Sequence, residues 1–373
     1  MTNNLKKTPW GSYYSFSLSK GCQQCITGEK LVVLVSTECS SKCFYCPLSL
    51  ERKASRFSFA NERPIRNVND LIVEASNMEA SGASMTGGDP LEHHSYAQTL
   101  EFCKLLKQNF PENFHIHLYT RGKEITSKNL LILKPYLDEI RFHVINIQKD
   151  LEPVKLAIQF DLDVGIEVPV IPTQGFDYYR DLITNFNEII PDNDHFHFIN
   201  LNELEISETN YRDLMSRGLK ADQEKPSAIK GSAELGRKIV KWASNSVSLP
   251  IHFCSLTTKD RIQLPNRIHR IAKKVSLPSD VIIQDGPDKG LLIRGEIKSP
   301  SMGLNELRRT LIDELDIPEE LIYVDHQKDR LLTNAAVLDE LKEEIKEILP
   351  DAKLGIIEEY PTYDELQTTF IPL

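Results

Sequence analysis

Three cysteines crowd into one short loop, Cys39-x3-Cys43-x2-Cys46 in STECSSKCFYCPLS, directly behind the apolar run LVVLVS. Thiolates at this spacing can converge on one inorganic centre. Iron–sulfur clusters are normally held by four cysteine thiolates, so three from one loop leave one iron without a protein ligand. An open coordination position is what separates a catalytic metal centre from a structural one. A second pair, Cys22-x2-Cys25, precedes Cys43-x2-Cys46 with 17 residues between the pairs, which is also the spacing of a four-cysteine zinc site. Zinc at those four would explain neither Cys39, nor the MTGGDP turn, nor the strand–helix alternation described below. Spacing alone leaves two readings open, an iron–sulfur centre at Cys39, Cys43 and Cys46 and a zinc-stabilised binding module. The pair Cys22/Cys25 reads as a zinc site of its own, a substrate neighbour or an inert pair. Cys103, inside QTLEFCKLLK, reads as core; Cys254, ending the run IHFC, reads as core or as function.

The motif CxxxCxxC with an aromatic before its last cysteine, here Tyr45, resembles that of the radical S-adenosylmethionine (SAM) superfamily. The resemblance implies a [4Fe–4S] cluster on the three cysteines and SAM chelated by the fourth iron. It further implies reductive cleavage of SAM to a 5′-deoxyadenosyl radical that abstracts a substrate hydrogen, with an electron donor such as ferredoxin or flavodoxin. MTGGDP resembles the family's GGEP segment, which implies SAM contacts at Gly87, Gly88, Asp89 and Pro90, with Asp89 replacing the usual glutamate. LYTRG is similar to the family's turn near the cofactor, which implies Thr120. By the same analogy Arg141 and His143 approach the ribose and carboxylate, and GIEVPVI, with Val168, packs on the adenine. The GCxxC lead-in, the CFYCPLS loop, LNELE and KDRIQLPNR together resemble a mainly archaeal group of radical SAM proteins related to pyruvate formate-lyase activating enzymes.

Residues of these kinds need a scaffold that brings them together. Six apolar runs, at 31–36, 83–88, 114–120, 139–145, 164–171 and 195–201, alternate with helix-length amphipathic segments at 69–80, 95–109, 128–136, 150–160 and 177–189. Such alternation predicts parallel strands, with chemistry at their carboxyl ends. His115 and His117, His195 and His197, and the polar strand end INLNELEISETN with Asn200, Asn202, Glu203 and Glu205, are candidates for lining a cavity. His93 and His94 follow the glycine turn, near the cofactor mouth or simply solvated. The expected fold class is α/β, a partial (β/α)6 barrel radical SAM core with a helical connection and a small α+β C-terminal domain. Its expected divisions are an N-terminal extension with the CxxC pair (1–30), the core (31–205), a mainly helical connection with a basic segment (206–278) and the C-terminal domain (279–373).

The composition sets outer limits. In 373 residues, 40% are hydrophobic and 26% charged, enough apolar material for sizeable cores and too much for wholesale disorder. The net charge of −10 excludes a generally basic nucleic-acid-coating protein, so any such role needs a local patch. The segment 259–274, with six Lys/Arg against one Asp, is that patch or else the solvated face of a helix. No apolar run reaches a membrane span, and MTNNLKKTPWGSYYSF lacks a secretory pattern. A soluble, cytoplasmic enzyme without membrane association is expected. Its substrate is a macromolecule, tRNA slightly ahead of protein, with a glycyl-radical enzyme or a small molecule or peptide as alternatives.

Overall fold

The computed structural model describes residues 4–373. Two compact units form: one runs through Ser76 and from Ala80 to Gln263, and the other joins Asn77–Glu79 to Leu264–Leu373. The division falls inside the 206–278 stretch that the sequence reading treats as a connection.

In the first unit, α1 (Lys20–Thr27) precedes seven parallel strands: β1 (Lys30–Ser36), β2 (Gly82–Gly87), β3 (His115–Thr120), β4 (Glu139–Phe142), β5 (Asp163–Val170), β6 (Phe198–Glu203) and β7 (Ile251–Cys254). They stand side by side in chain order. The intervening helices are α2 (Val68–Asn77), α3 (His93–Asn109), α4 (Ser127–Leu133), α5 (Ile147–Ile158), α6 (Gly175–Ile189) and α7 (Ser232–Ser246). A hairpin of Ser58–Ala60 and Arg63–Ile65 pairs antiparallel with β1, and Tyr13–Ser15 pairs antiparallel with β7. The six expected strands are thus joined by a seventh and by antiparallel flanks. These flanks are strands of three residues each, too short for a periodicity to announce them.

Strand alternation places chemistry on one face. Leu31, Val33, Val35, Ala83, Met85, Ile116, Leu118, Ile140, Phe142, Val164, Ile166, Ile199, Leu201, Ile251 and Phe253 are each at most 1% exposed. At about 1.5–3 kcal/mol per large apolar side chain buried, this face supplies the drive to fold. Beyond β1 many of the intervening positions are polar: Ser84 sits in register with His117, Tyr119 with Arg141, Glu167 with Asn200, and Asn200 and Asn202 with His252 and Cys254. A one-residue slip would drive those groups into the apolar layer, so the register is strongly specified.

Of the connection 206–278, expected to be mainly helical, Ser232–Ser246 and Leu264–Val275 are helices, but up to residue 231 it holds only the short helix Tyr211–Ser216 and two isolated bridges, Glu205–Ala228 and Ala221–Ile229. Gly218 and Gly231, both at positive φ, and Pro226 between them interrupt any longer helix. No helix among the described residues is long and apolar enough to cross a membrane.

The second unit begins with α8 (Leu264–Val275), with Pro265 in its first turn, where a missing N–H is tolerated. Part of the basic segment is used structurally: Arg270 donates to the carbonyl oxygens of Met78 (3.0 Å) and Glu79 (2.7 Å). An antiparallel sheet follows, from β8 (Leu292–Lys298), β9 (Tyr323–Asp325), β10 (Arg330–Thr333), β11 (Lys353–Glu359) and β12 (Gln367–Pro372), in the order β9-β10-β8-β11-β12. The helices α9 (Leu304–Leu315) and α10 (Ala335–Ile348) close a core built on Ile297, Leu307, Leu311, Leu331, Leu338 and Ile345.

Candidate active site

The cysteine loop leaves the carboxyl end of β1 and is held from three sides. Glu92, 5% exposed, accepts from Ser40 N (3.0 and 3.1 Å) and Ser40 Oγ (2.6 Å), next to Cys39. On the other side Asn210 Nδ2 donates to the Tyr45 carbonyl (3.1 Å), Thr209 Oγ1 to the Cys46 carbonyl (3.2 Å), and Leu50 N to Glu208 (2.8 Å). The polar segment after β6 therefore clamps the cysteine loop. Beneath it lie the two glycines of MTGGDP. A Cβ on Gly88 would collide with the Glu38 carbonyl, and one on Gly87, at φ +123°, with the Ser36 carbonyl. Close seating of the cysteine loop is itself a reason for glycine here, beyond any approach to a ligand.

Asp89 ties the ends of two strands together. Its carboxylate accepts from Thr120 Oγ1 (2.9 Å), Arg121 N (2.8 Å) and Leu91 N (3.0 Å). Burial nonetheless raises its pKa above the usual carboxylate value, against those hydrogen bonds. Pro90 uses its carbonyl to accept from Thr99 Oγ1 (2.7 Å).

These residues border a cavity of about 690 Å3. Cys39, Cys43, Cys46, Tyr45, Gly87, Gly88, Asp89, Thr120, His143 and Val168 all line it, whereas Pro90 and Arg141 do not. Cys39 is exposed, and Cys43 and Cys46 are half-buried. Among the described residues no three His, Cys, Asp or Glu side chains already stand in a metal-ligating arrangement; at metal sites that convergence comes with the metal itself. The donor set suits an iron–sulfur cluster: three thiols on a tightly held loop, facing one cavity.

His143 and Tyr45 form a defined pair. The Glu167 carbonyl can only accept, so His143 donates from Nδ1 (3.1 Å), and Nε2 accepts from Tyr45 Oη (2.8 Å). Burial pulls His143 down to about 4 and so keeps it neutral. Burial likewise pushes the Tyr45 phenol and the Cys43 thiol up.

Behind the wall runs a charged network. Arg141, 2% exposed, pairs with Glu139 and donates to Glu167 (2.7 Å), Tyr119 Oη (3.1 Å) and Ser19 Oγ (3.0 Å). Arg141 thus occupies a supporting position, its guanidinium shared between buried Glu139 and half-buried Glu167. Glu167 also accepts from Asn200 (2.9 Å) and Asn202 (2.8 Å). Burial would raise its pKa, but Arg141 and the two amides outweigh that and hold it below the usual range. Glu167 and Tyr119 line the cavity without having been singled out from the sequence, and Lys259, from the basic segment, lines it as well. The alternation GIEVPVI carries the one available signal, a charge inside an otherwise apolar strand. His117 lines the cavity, but His115 and His197 are not among the lining residues. His94 stands 3.9 Å from both Glu38 and Glu92 at the loop.

Residues 27–145 match the family model described as a 4Fe-4S single cluster domain, and residues 290–373 match a domain family of unknown function. Over 370 residues, 95% of this chain and 93% of the relative, the sequence is 36% identical to a protein of Methanocaldococcus jannaschii provisionally named a glycyl-radical enzyme activating enzyme. With that identity over nearly the whole length, and with the three-cysteine loop facing the glycine turn across one cavity, the chain belongs to the radical SAM family.

Proposed function

We propose that Cys39, Cys43 and Cys46 hold the [4Fe–4S] cluster, that Gly87 and Gly88 present backbone to SAM, and that the enzyme removes a hydrogen atom from a protein substrate. The observation that carries this reading is the shared cavity, lined by all three thiols, the glycine turn and side chains from β1, β2, β3, β5 and β6. Lining from so many strands supports a sheet curved as a partial barrel. When bound, the cluster and SAM supply a carbon-centred radical. The chain's own part is positional. Glu92, Thr209 and Asn210 fix the loop backbone, and Asp89 aligns the ends of β2 and β3. Tyr45, braced by neutral His143, shapes the wall without offering a proton, and the apolar members of the lining limit water. Val168 borders the region assigned to the adenine.

A polypeptide is favoured over tRNA for two reasons. The relative's name concerns activation of another enzyme, and part of the basic segment is committed to backbone carbonyls. A low-potential donor of the ferredoxin or flavodoxin class would deliver the electron.

The test is anaerobic reconstitution with iron and sulfide, followed by measurement of iron and of 5′-deoxyadenosine formed from SAM. Wild type is expected to hold about four irons per chain, as one cluster requires, and Cys43→Ala to lose both iron and SAM cleavage. Undiminished 5′-deoxyadenosine formation by Cys43→Ala overturns the ligand assignment. Turnover stimulated by tRNA and not by protein fractions overturns the substrate class.

A further inference from the structure

A second group of thiols lies in the same unit, apart from the cysteine loop. Cys22 and Cys25 sit one turn apart on α1, so both project from one helix face. Cys254 ends β7 in register with Asn202, on the same strand face as His252. The two elements meet at Asn200, the neighbour of His252 across the sheet, whose Nδ2 donates to Cys22 Sγ at 3.1 Å. A second carboxamide, Gln263 Nε2, donates to Cys254 Sγ at 3.7 Å, and the turn Lys259–Gln263 that carries it packs on α1. Two side-chain amides aimed at two buried sulfurs are what outer residues of a thiolate site do: they hydrogen-bond the ligand and fix its direction. His252 is 5% exposed, and its Nδ1 is buried without a hydrogen-bond partner. An orphaned buried nitrogen destabilises the fold unless something binds there.

We propose that Cys22, Cys25 and Cys254, with His252 Nδ1 as the fourth ligand, bind a single thiolate-preferring divalent ion of the zinc class. Three thiolates and one imidazole form a closed tetrahedral set for such an ion. Binding exchanges three S–H protons for the ion. Burial holds Cys25 up at about 11 and Cys254 at about 12, so both wait as thiols, while Arg141 near Cys22 and Lys259 near Cys254 temper the charge of the bound form. As at the cysteine loop, final convergence is left to binding. Cys25 also lines the cavity, so the ion would brace part of its wall.

The proposal is independent of the cluster, and its test removes the cluster ligands. The protein with Cys39, Cys43 and Cys46 all changed to Ser, stripped of metal and kept anaerobic, is titrated with Co2+ and then Zn2+. One Co2+ per chain with sulfur-to-cobalt charge-transfer absorption, displaced by one Zn2+, is expected. In that background Cys254→Ser should weaken Co2+ binding by at least about a hundredfold and Gln263→Ala by about tenfold. Cys103→Ser, a buried thiol elsewhere, should change nothing. If Cys254→Ser loses its far-ultraviolet circular dichroism, the Cys22→Ser and Gln263→Ala titrations decide instead. A site lost in the triple variant but kept when Cys254→Ser is made in the otherwise unchanged chain would place the ion on Cys22, Cys25, Cys43 and Cys46 and overturn the proposal. Absence of thiolate-bound Co2+ in the triple variant overturns it as well, and so does assembly of an iron–sulfur cluster there in place of a single ion.

Discussion

Each unit buries arginines among carboxylates, and the two solutions differ in what is left over. In the second unit Arg330, fully buried, donates to Asp325 (2.7 Å), Glu296 (3.0 Å) and both oxygens of Glu359 (2.8 and 2.9 Å). Arg294 binds Asp280 with two nitrogens (2.9 Å each) and Glu359 with the third (2.9 Å), and Lys328 adds a further donor to Glu359 (2.8 Å). Donors and acceptors are matched there. Around Arg141 in the first unit, Glu139 Oε2 and both ring nitrogens of His117 are buried without hydrogen-bond partners, and Glu167 faces the cavity. Matched burial fixes a fold; unmatched burial beside a cavity marks where a ligand, water or ion completes the set.

The largest expected effect tests that contrast directly. Arg330→Met takes the guanidinium from buried Glu296 and Asp325, while Glu359 keeps Arg294 and Lys328, and should cost about 3–5 kcal/mol of stability, the range for breaking a buried ion pair. Iron loading should be unaffected. Arg141→Met should fall toward the low end of that range, because Glu167 keeps two amide donors and borders a cavity that water can enter. It should also loosen α1 through the lost Ser19 contact. Urea unfolding and iron content of the two variants check this. Equal stability losses together with equal iron content would erase the distinction.

What the sequence made legible was local. The cysteine loop, the glycine turn and the spacing of the parallel strands are each written in contiguous residues, and the structure brings loop and turn to one cavity. The clamps were not legible: Ser40 to Glu92 and Tyr45 to Asn210 join residues far apart in the chain, and either partner alone reads as an ordinary polar side chain. The partners of Arg141 are equally hidden, because nothing near it in sequence reveals that Glu167, on the next strand, turns to the same face. Cys254 reads from sequence as core or as function and no more, since α1, with which it shares the proposed site, lies more than two hundred residues away.

An intermediate effect separates the units by pH. Burial pulls His143 and His252 down to about 4, His115 to about 2 and His117 well below its ordinary value, all in the first unit. The unfolded chain therefore takes up protons below about pH 6.5 that the folded unit refuses until about pH 4 or lower. Stability is fully present above the unfolded value and falls as pH drops through this window, by about 1.4 kcal/mol per pH unit for each such group. Asp89, raised by burial, acts with the opposite sign, and only near the carboxylate range. In the second unit Asp325 and Glu359 are held low by Arg330 and its neighbours against the opposing effect of burial, so their contribution is lost only as pH falls below the ordinary carboxylate values. Trp10 and Trp242 both belong to the first unit, so tryptophan fluorescence reports on it alone. Between pH 7 and 5 the urea midpoint by fluorescence should fall for the metal-free chain, while hydrogen-exchange protection of α10, corrected for intrinsic rate, should fall less, because burial lowers one histidine of the second unit, His269, against several of the first. Parallel losses in both readouts would show that the buried histidines do not set the difference.

The smallest expected effect compares two helix caps. Asn334 caps α10 by accepting from Ala336 N (3.0 Å) and Val337 N (3.4 Å), and Asn334→Ala should cost about 1 kcal/mol, the usual value for a lost N-cap. Ser19 caps α1 by accepting from Cys22 N (3.3 Å), but the same oxygen also accepts from Arg141 Nη2 (3.0 Å). Ser19→Ala therefore removes a cap and leaves a buried guanidinium nitrogen without that acceptor, which should bring the loss to about 2 kcal/mol. Because α1 carries Cys22 and Cys25, the change should also raise the reactivity of both thiols toward a maleimide, whereas Asn334→Ala should leave them as unreactive as in the parent. Thiol labelling rates and urea midpoints, measured side by side, decide it. If Ser19→Ala costs no more than Asn334→Ala and leaves the α1 thiols shielded, the cap acts on its helix alone and the Arg141 network ends short of α1.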